Sequence, residues 1–255
     1  MAPPWQRWWP LRGRKGKRFM GILVKAIAGV GILIVSDDIQ VPPVSIVGAN
    51  QLDLTLIPNP TAQADTAYIV ELLLDNLSVG FKAVEWTAAQ IAAAEPRPLS
   101  FTGLDLAGVG SMIVTAGFDD SVAVIDASDA AGGPLGVVNV ELRMREVPPA
   151  GLAGYTLNAT LQDGAVAKIT GVSFPTEFPL GTIVPDPVDG PTVQISAVDL
   201  SSVVNGGDFD VLLATLTVEL LAAGATEVVL DVTALDDDSG FPINSATLAG
   251  SITVS

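Results

Sequence analysis

The tightest run of possible metal ligands is Asp236-Asp237-Asp238, closed by Ser239-Gly240. Clustered carboxylate oxygens suit a hard cation, so calcium is the ion such a run would take. The run lacks the alternate-residue spacing and the distal Glu of an EF-hand loop. The same residues also read as a solvated turn that discourages pairing of strand edges. Asp119, Asp120, Asp126 and Asp129 form a second acidic group; if 118–121 is a turn, only some of them converge. Paired carboxylates also hydrolyse glycosides, and Glu71, Glu85, Glu141, Glu177, Glu219 and Glu227 are available. Most of them alternate with apolar neighbours, as outward-facing strand residues do, and no pair is set apart by spacing.

The chain holds no Cys and no His. That excludes disulfides, thiolate or imidazole metal sites, a Cys nucleophile, a His general base and the serine triad. No phosphate-cradling or dinucleotide-binding glycine motif is present. The expectation is a protein that is not an enzyme and has no cofactor, calcium at Asp236, Asp237 and Asp238 being the single metal candidate. Asn76-Leu77-Ser78 and Asn158-Ala159-Thr160 fit the N-glycosylation pattern, making Asn76 and Asn158 candidates in an exported, glycosylated protein. Three of the four Trp fall within the first nine residues, which leaves few rings for a sugar platform. Trp86 reads as a core or edge residue.

Charge is split along the chain. Residues 1–25 carry Arg7, Arg12, Arg14, Lys15, Lys17, Arg18 and Lys25 and no acid. Beyond residue 25, five basic residues face all 28 acidic ones. An acidic body of that kind repels nucleic acid and favours cations or basic partners.

Residues 1–18 are a basic tail rich in Trp and Arg, and 19–38 hold an apolar run that ends at Ser36-Asp37-Asp38. Basic, then apolar, then polar is the order of an export signal or signal anchor, which would leave the body outside the cell, membrane-anchored or secreted. Phe19, Ile22, Leu23, Val24, Ile27, Val30, Ile32, Leu33, Ile34 and Val35 are its apolar residues. The run is short for a span, Lys25 interrupts it, and Gly21, Gly29 and Gly31 lower its helix propensity. It reads alternatively as a β-strand, either in its own core or inserted into a neighbouring subunit.

The body, after a Pro-marked linker at 39–44, is a succession of short apolar runs split by Gly, Pro, Asp and Asn. That pattern predicts an all-β chain: antiparallel jelly-roll or Ig-like β-sandwiches, two in tandem, behind the N-terminal apolar segment. Strands are expected at 44–48, 52–57, 67–74, 78–85, 99–105, 111–116 and 121–126, with one helical turn at 87–94 that Pro96 stops. Gly132-Gly133-Pro134 marks the expected boundary between domains at 44–130 and 136–255. Val138, Val140, Leu142 and Met144 alternate with polar residues as in a half-buried strand. Further strands are expected at 152–161, 165–174, 192–198, 209–220, 226–233 and 246–254, with a long loop at 175–191.

Residues 136–255 resemble cohesin-like domains, the β-sandwich modules of cellulosome scaffolds that also occur on archaeal and bacterial surface proteins and are related in form to carbohydrate-binding modules. The resemblance lies in 138–144 as opening strand, in Leu152-Ala153-Gly154-Tyr155-Thr156-Leu157, in 209–218, in 223–230, and in 236–243 with 248–254 as last turn and strand. It implies a jelly-roll sandwich in an extracellular setting that binds a protein. In cellulosomes that partner is the calcium-loaded dockerin, which carries the calcium ligands itself. Residues 44–130 carry no such resemblance. The expected function is a non-catalytic binding or scaffold protein of the cell surface or exterior. Its partner would be another protein or a second copy, and the N-terminal segment would meet the membrane. The alternative is a structural subunit, either of a pilus-like filament with an N-terminal donor strand or of a virion.

Overall fold

The computed structural model describes residues 23–27, 30–35, 38–40, 45–47, 50–75, 77–109, 111–117 and 121–255, with the backbone alone for 23–27, 30–35, 45–47, 111 and 117. The expected all-β fold class is what the structure shows: two sandwiches of stacked sheets.

The first sandwich holds β1 (Leu23–Ile27), β2 (Val30–Val35), β3 (Ile39–Gln40), β4 (Ser45–Val47), β5 (Gln51–Pro58), β6 (Tyr68–Leu74), β7 (Leu77–Val84), helix α1 (Ala88–Ala92), β8 (Arg97–Thr102) and β9 (Ser111–Gly117). One sheet has the order β1-β2-β9-β6-β7. In the other, β5 pairs with β3, β4 and β8, antiparallel to each. Strict alternation in β5 buries Leu52, Leu54 and Leu56, which meet Tyr68, Val70 and Leu72 of β6 and Met112 and Val114 of β9. Each such side chain contributes about 1.5–3 kcal/mol. Trp86 is a core residue, fully buried, and its indole N–H donates to the Glu95 carbonyl at 2.9 Å. The expected helical turn is α1, opened by a capping box in which Thr87 and Gln90 satisfy each other's backbone N–H groups.

The segment expected as an anchor or assembly strand is, where described, a β-hairpin. Leu23, Val24 and Ile27 lie in β1, and Val30, Ile32, Leu33, Ile34 and Val35 in β2. β2 runs parallel to β9, with Ile32 opposite Met112 and Ile34 opposite Val114. Val and Ile favour this extended form and the glycines disfavour a helix. Phe19, Ile22 and the basic tail lie outside the described residues. Among the described residues no helix is long and apolar enough to cross a membrane.

The second sandwich holds β10 (Ala123–Ala127), β11 (Ala130–Gly132), β12 (Val137–Glu146), β13 (Gly154–Leu161), β14 (Ala167–Ser173), β15 (Thr182–Val184), β16 (Thr192–Val198), β17 (Phe209–Leu220), β18 (Gly224–Asp236), β19 (Ser245–Leu248) and β20 (Gly250–Val254). Its sheets have the orders β14-β17-β12-β10-β19 and β11-β20-β18-β13-β16-β15. Between them lies a core that includes Val140, Leu142, Leu157, Ile195, Leu216, Val218 and Leu230.

Two expectations are corrected here. Gly132-Gly133-Pro134 does not separate the halves: β10 and β11, which precede it, pair into the two sheets of the second sandwich. Gly132 is a packing glycine rather than a linker glycine, since a Cβ there would lie 2.7 Å from Leu220 Cδ1. The expected single strand at 246–254 is two. β19 runs parallel to β10 in one sheet, and β20 runs parallel to β11 in the other. Both segments cross between sheets at the same level, where a Cβ on Gly250 would lie 2.5 Å from the Ser128 carbonyl oxygen and 2.6 Å from that of Ala127.

The sandwiches meet through Ile69, Phe81 and Ala83 of the first and Val122, Val124, Ala246 and Leu248 of the second. Arg145 of β12 closes this junction, paired with Glu85 of the first sandwich and, at 3.4 Å, with Asp126 of β10.

Gly250→Ala should therefore cost about 1–3 kcal/mol in urea unfolding, because the obstructing atoms are backbone. Arg145→Met leaves Glu85 and Asp126 facing one another without their shared cation. It should cost about 1–2 kcal/mol, and addition of Glu85→Gln should recover part of that loss.

Candidate functional site

The outer faces of the two sheets of the second sandwich differ in chemistry. On the face of β14-β17-β12, cations and carboxylates interleave. Arg143 holds Glu141 at 2.8 Å and Asp210 at 3.2 Å, and Lys168 holds Asp189 at 2.9 Å and Glu219 at 3.2 Å. Bonds to Glu141 push the Arg143 guanidinium up from its ordinary value, and bonds to Asp189 and then Glu219 do the same for Lys168. Three of the six glutamates considered for acid–base chemistry, Glu85, Glu141 and Glu219, are thus held in ion pairs.

The face of β18-β13-β16-β15 carries no cation. Alternation in β13 sends Tyr155, Leu157, Ala159 and Leu161 into the core and leaves Thr156, Asn158 and Thr160 outside. β16 adds Thr192, Gln194 and Ser196 in register with them, and β15 adds Thr182 beside Ser196. The hydroxyls of Thr156 and Ser196 lie 3.0 Å apart, and those of Thr160 and Thr192 lie 3.2 Å apart. The charges of the face, Glu227, Asp231 and Asp236, all stand on β18. The candidate glycosylation residue Asn158 sits at the centre of this face, its amide 3.5 Å from Asp231 Oδ2. Asn76 lies outside the described residues.

The central strand is anchored from beneath. The Tyr155 ring packs edge-on against Phe178 at 5.2 Å, and its hydroxyl donates to the Leu213 carbonyl at 2.6 Å. Burial raises the Tyr155 phenol well above its ordinary value, and burial does the same, less strongly, to Tyr68.

The acidic run lies at one end of this face. Asp237 turns its carboxylate inward, accepting from the N–H groups of Ser239 at 2.8 Å and Phe241 at 2.9 Å. Asp236 and Asp238 are exposed. Among the described residues no three acidic side chains are grouped as a metal set. Of the second acidic group, Asp126 pairs with Arg145, and Asp129 accepts from the Ser251 N–H at 2.7 Å. Asp119 and Asp120 lie outside the described residues.

The neutral face has no motif, because isolated Thr, Ser, Asn and Gln in separate strands form no local pattern. One signal for it is present in the sequence: no Lys or Arg follows Lys168.

The chain is similar to cohesin domains over 52% of its length. One is a non-cellulosomal cohesin from the hyperthermophilic archaeon Archaeoglobus fulgidus, at 14% identity and TM-score 0.43 over 91% of that chain. Another is CaCohA2 from Clostridium acetobutylicum, at 17% identity and TM-score 0.44 over 91% of that chain. A third comes from a type I cohesin–dockerin complex of Clostridium thermocellum, at 11% identity and TM-score 0.44 over 99% of that chain. No family model and no curated protein matches the chain.

The raised phenols set an alkaline limit. Above about pH 10 the unfolded chain loses protons that the folded chain keeps, so stability falls as pH rises. Absorbance titration should show native tyrosinate forming only above the ordinary phenol range. Tyr155→Phe should flatten the decline of the urea midpoint between pH 9 and pH 11, at a cost of about 1 kcal/mol at neutral pH.

Proposed function

We propose that the chain is a non-catalytic protein-binding module of the cell surface or exterior, and that it binds through the outer face of β18-β13-β16-β15. The observation that carries this reading is the neutrality of β13, β16 and β15. Depletion of charge at the centre is a compositional mark of protein–protein interfaces, because hydroxyls and amides lose water at less cost than ions and find new partners across the contact. Glu227, Asp231 and Asp236 along one side favour a partner that presents basic residues there and uncharged hydrogen-bonding groups over Asn158 and Gln194. The residue resemblance of 136–255 to cohesin-like domains stands beside this. The location rests on the extracellular setting that this resemblance implies.

A second reading, an assembly subunit, is supported by the β1–β2 hairpin. A hairpin that extends its own sheet along β9 has the form needed to extend a neighbour's.

Immobilised protein offered to extract of its own cells tests the first reading. A partner retained by the native chain should be lost, by at least about tenfold in affinity, on Asn158→Arg or Gln194→Arg. It should be retained on Thr170→Arg, which alters the opposite sheet. Equal retention by all three variants would exclude the face. A detergent-resistant polymer of the native chain, lost on deletion of 23–35, would favour the second reading.

A further inference from the structure

The end of the second sandwich nearest the first displays apolar side chains on rigid supports. Three segments build it: 147–153, 199–208 and 237–244. They are stitched together by backbone hydrogen bonds from Val147 to Asp208, Gly207 to Val147, Asp199 to Ala153 and Asp238 to Ala150. Leu200 is 64% exposed and Phe241 67%, with Val203 beside Leu200 in its loop and with Val198 and Phe209 exposed at the adjoining strand ends.

These side chains are held out rather than left loose. Asp199, itself buried, accepts from the N–H groups of Ser201 at 3.0 Å and Val204 at 2.7 Å, which fixes the loop that presents Leu200 and Val203. Asp237 fixes the turn that presents Phe241 in the same way. Soluble proteins leave single apolar side chains in water freely, but several at one end on braced loops mark a contact surface. The surroundings are acidic: Glu146, Asp208, Asp236 and Asp238 lie here, and none of the three segments contains Lys or Arg.

We infer that this end is the docking site of the chain's own residues 5–18, bound within the same molecule. An apolar, acidic surface is complemented by a segment that combines large apolar rings with cations. Residues 5–18 do so, with Trp5, Trp8 and Trp9 among Arg7, Arg12, Arg14, Lys15, Lys17 and Arg18. The acidic body repels no part of this segment and holds little positive charge elsewhere to compete with it. Residues 19–22 join the segment to β1, and Trp9 stands 14 residues ahead of Leu23, a reach of up to about 45–50 Å. The docking end is also an end where the sandwiches meet, since Val122 of the junction directly precedes Ala123, whose N–H donates to Asn244 of 237–244. Tethering gives the segment an effective concentration that a second molecule matches only in concentrated solution. The site borders the neutral sheet face at Asp236 and Val198, but Leu200 and Phe241 lie in loops outside that face, so it stands whether or not the face binds a partner.

Tryptophan fluorescence of the full chain tests the inference, because Trp86 is buried and the other three Trp are in the tail. At low salt the tail rings should be protected from acrylamide, and at 1 M NaCl quenching should rise severalfold as the ion pairs are screened. Leu200→Asp with Phe241→Asp should raise quenching at low salt to the same level. Leu135→Asp, at the opposite end of the sandwich, should leave it unchanged. Asp236→Asn with Asp238→Asn, which keeps the apolar side chains, should lower the salt needed for release, and a thermal melt of each variant confirms folding. Full quenching of the native tail at low salt overturns the inference, as does protection that survives both charge and apolar variants. Protection lost on dilution, together with a dimer mass in light scattering, overturns docking within one molecule. Protection seen only with phosphatidylglycerol vesicles overturns it in favour of a membrane surface.

Discussion

The second sandwich depends on one closure: residues 123–132 lie parallel to residues 245–254, and the two segments change sheets together. β10 and β19 finish one sheet while β11 and β20 finish the other, so both layers are sealed by the same pair of chain segments. The crossing is close-packed, with Gly250 against the backbone of Ala127 and Ser128 and the Asp129 carboxylate held by the N–H and hydroxyl of Ser251. Contacts of such long sequence separation form at a high cost in loop entropy. They persist because Ile125, Ala127, Ile252 and Val254 of this pair enter one continuous core.

That closure also sets the relation between the two sandwiches. β10 and β19, brought side by side, present Val122, Val124, Ala246 and Leu248 to the first sandwich. Arg145 stands beside them with carboxylates from both halves. The sheet that includes β10 and β19 is therefore the one that carries the junction and the paired charges. The opposite sheet is left with a neutral face on β13, β16 and β15 and with acids on β18 alone. The division of chemistry between the faces follows from which sheet is used for attachment.

Much of this was legible in one dimension. Alternation in β5, β12 and β13 is period-two, so the side that faces the core can be read from the residues themselves. The alanines of 87–94 and the stop at Pro96 announced α1, and Trp86 read as a core or edge residue. What misled was glycine. Gly132 looks like punctuation because a glycine beside Gly133 and Pro134 has the composition of a linker, yet its role is to admit Leu220. Gly250 sits inside an apolar run that has the length of one strand, and the break there is imposed by a backbone 122 residues away. The carboxylates were likewise ambiguous. Asp199 and Asp237 hold turns, and no spacing distinguishes such a carboxylate from a free one.

The sequence alone determined the fold class, the core-facing residues of the regular strands, the acidic body with its basic leader, and the absence of thiol and imidazole chemistry, because these follow from composition and short-range periodicity. Only the tertiary structure decided where one sandwich ends and the next begins, which strands switch sheets, that the apolar segment 23–35 lies as a hairpin beside β9, and which uncharged side chains share one face. Those are matters of pairing between distant strands, and strand pairing is decided by packing of the whole core rather than by the residues of any one strand.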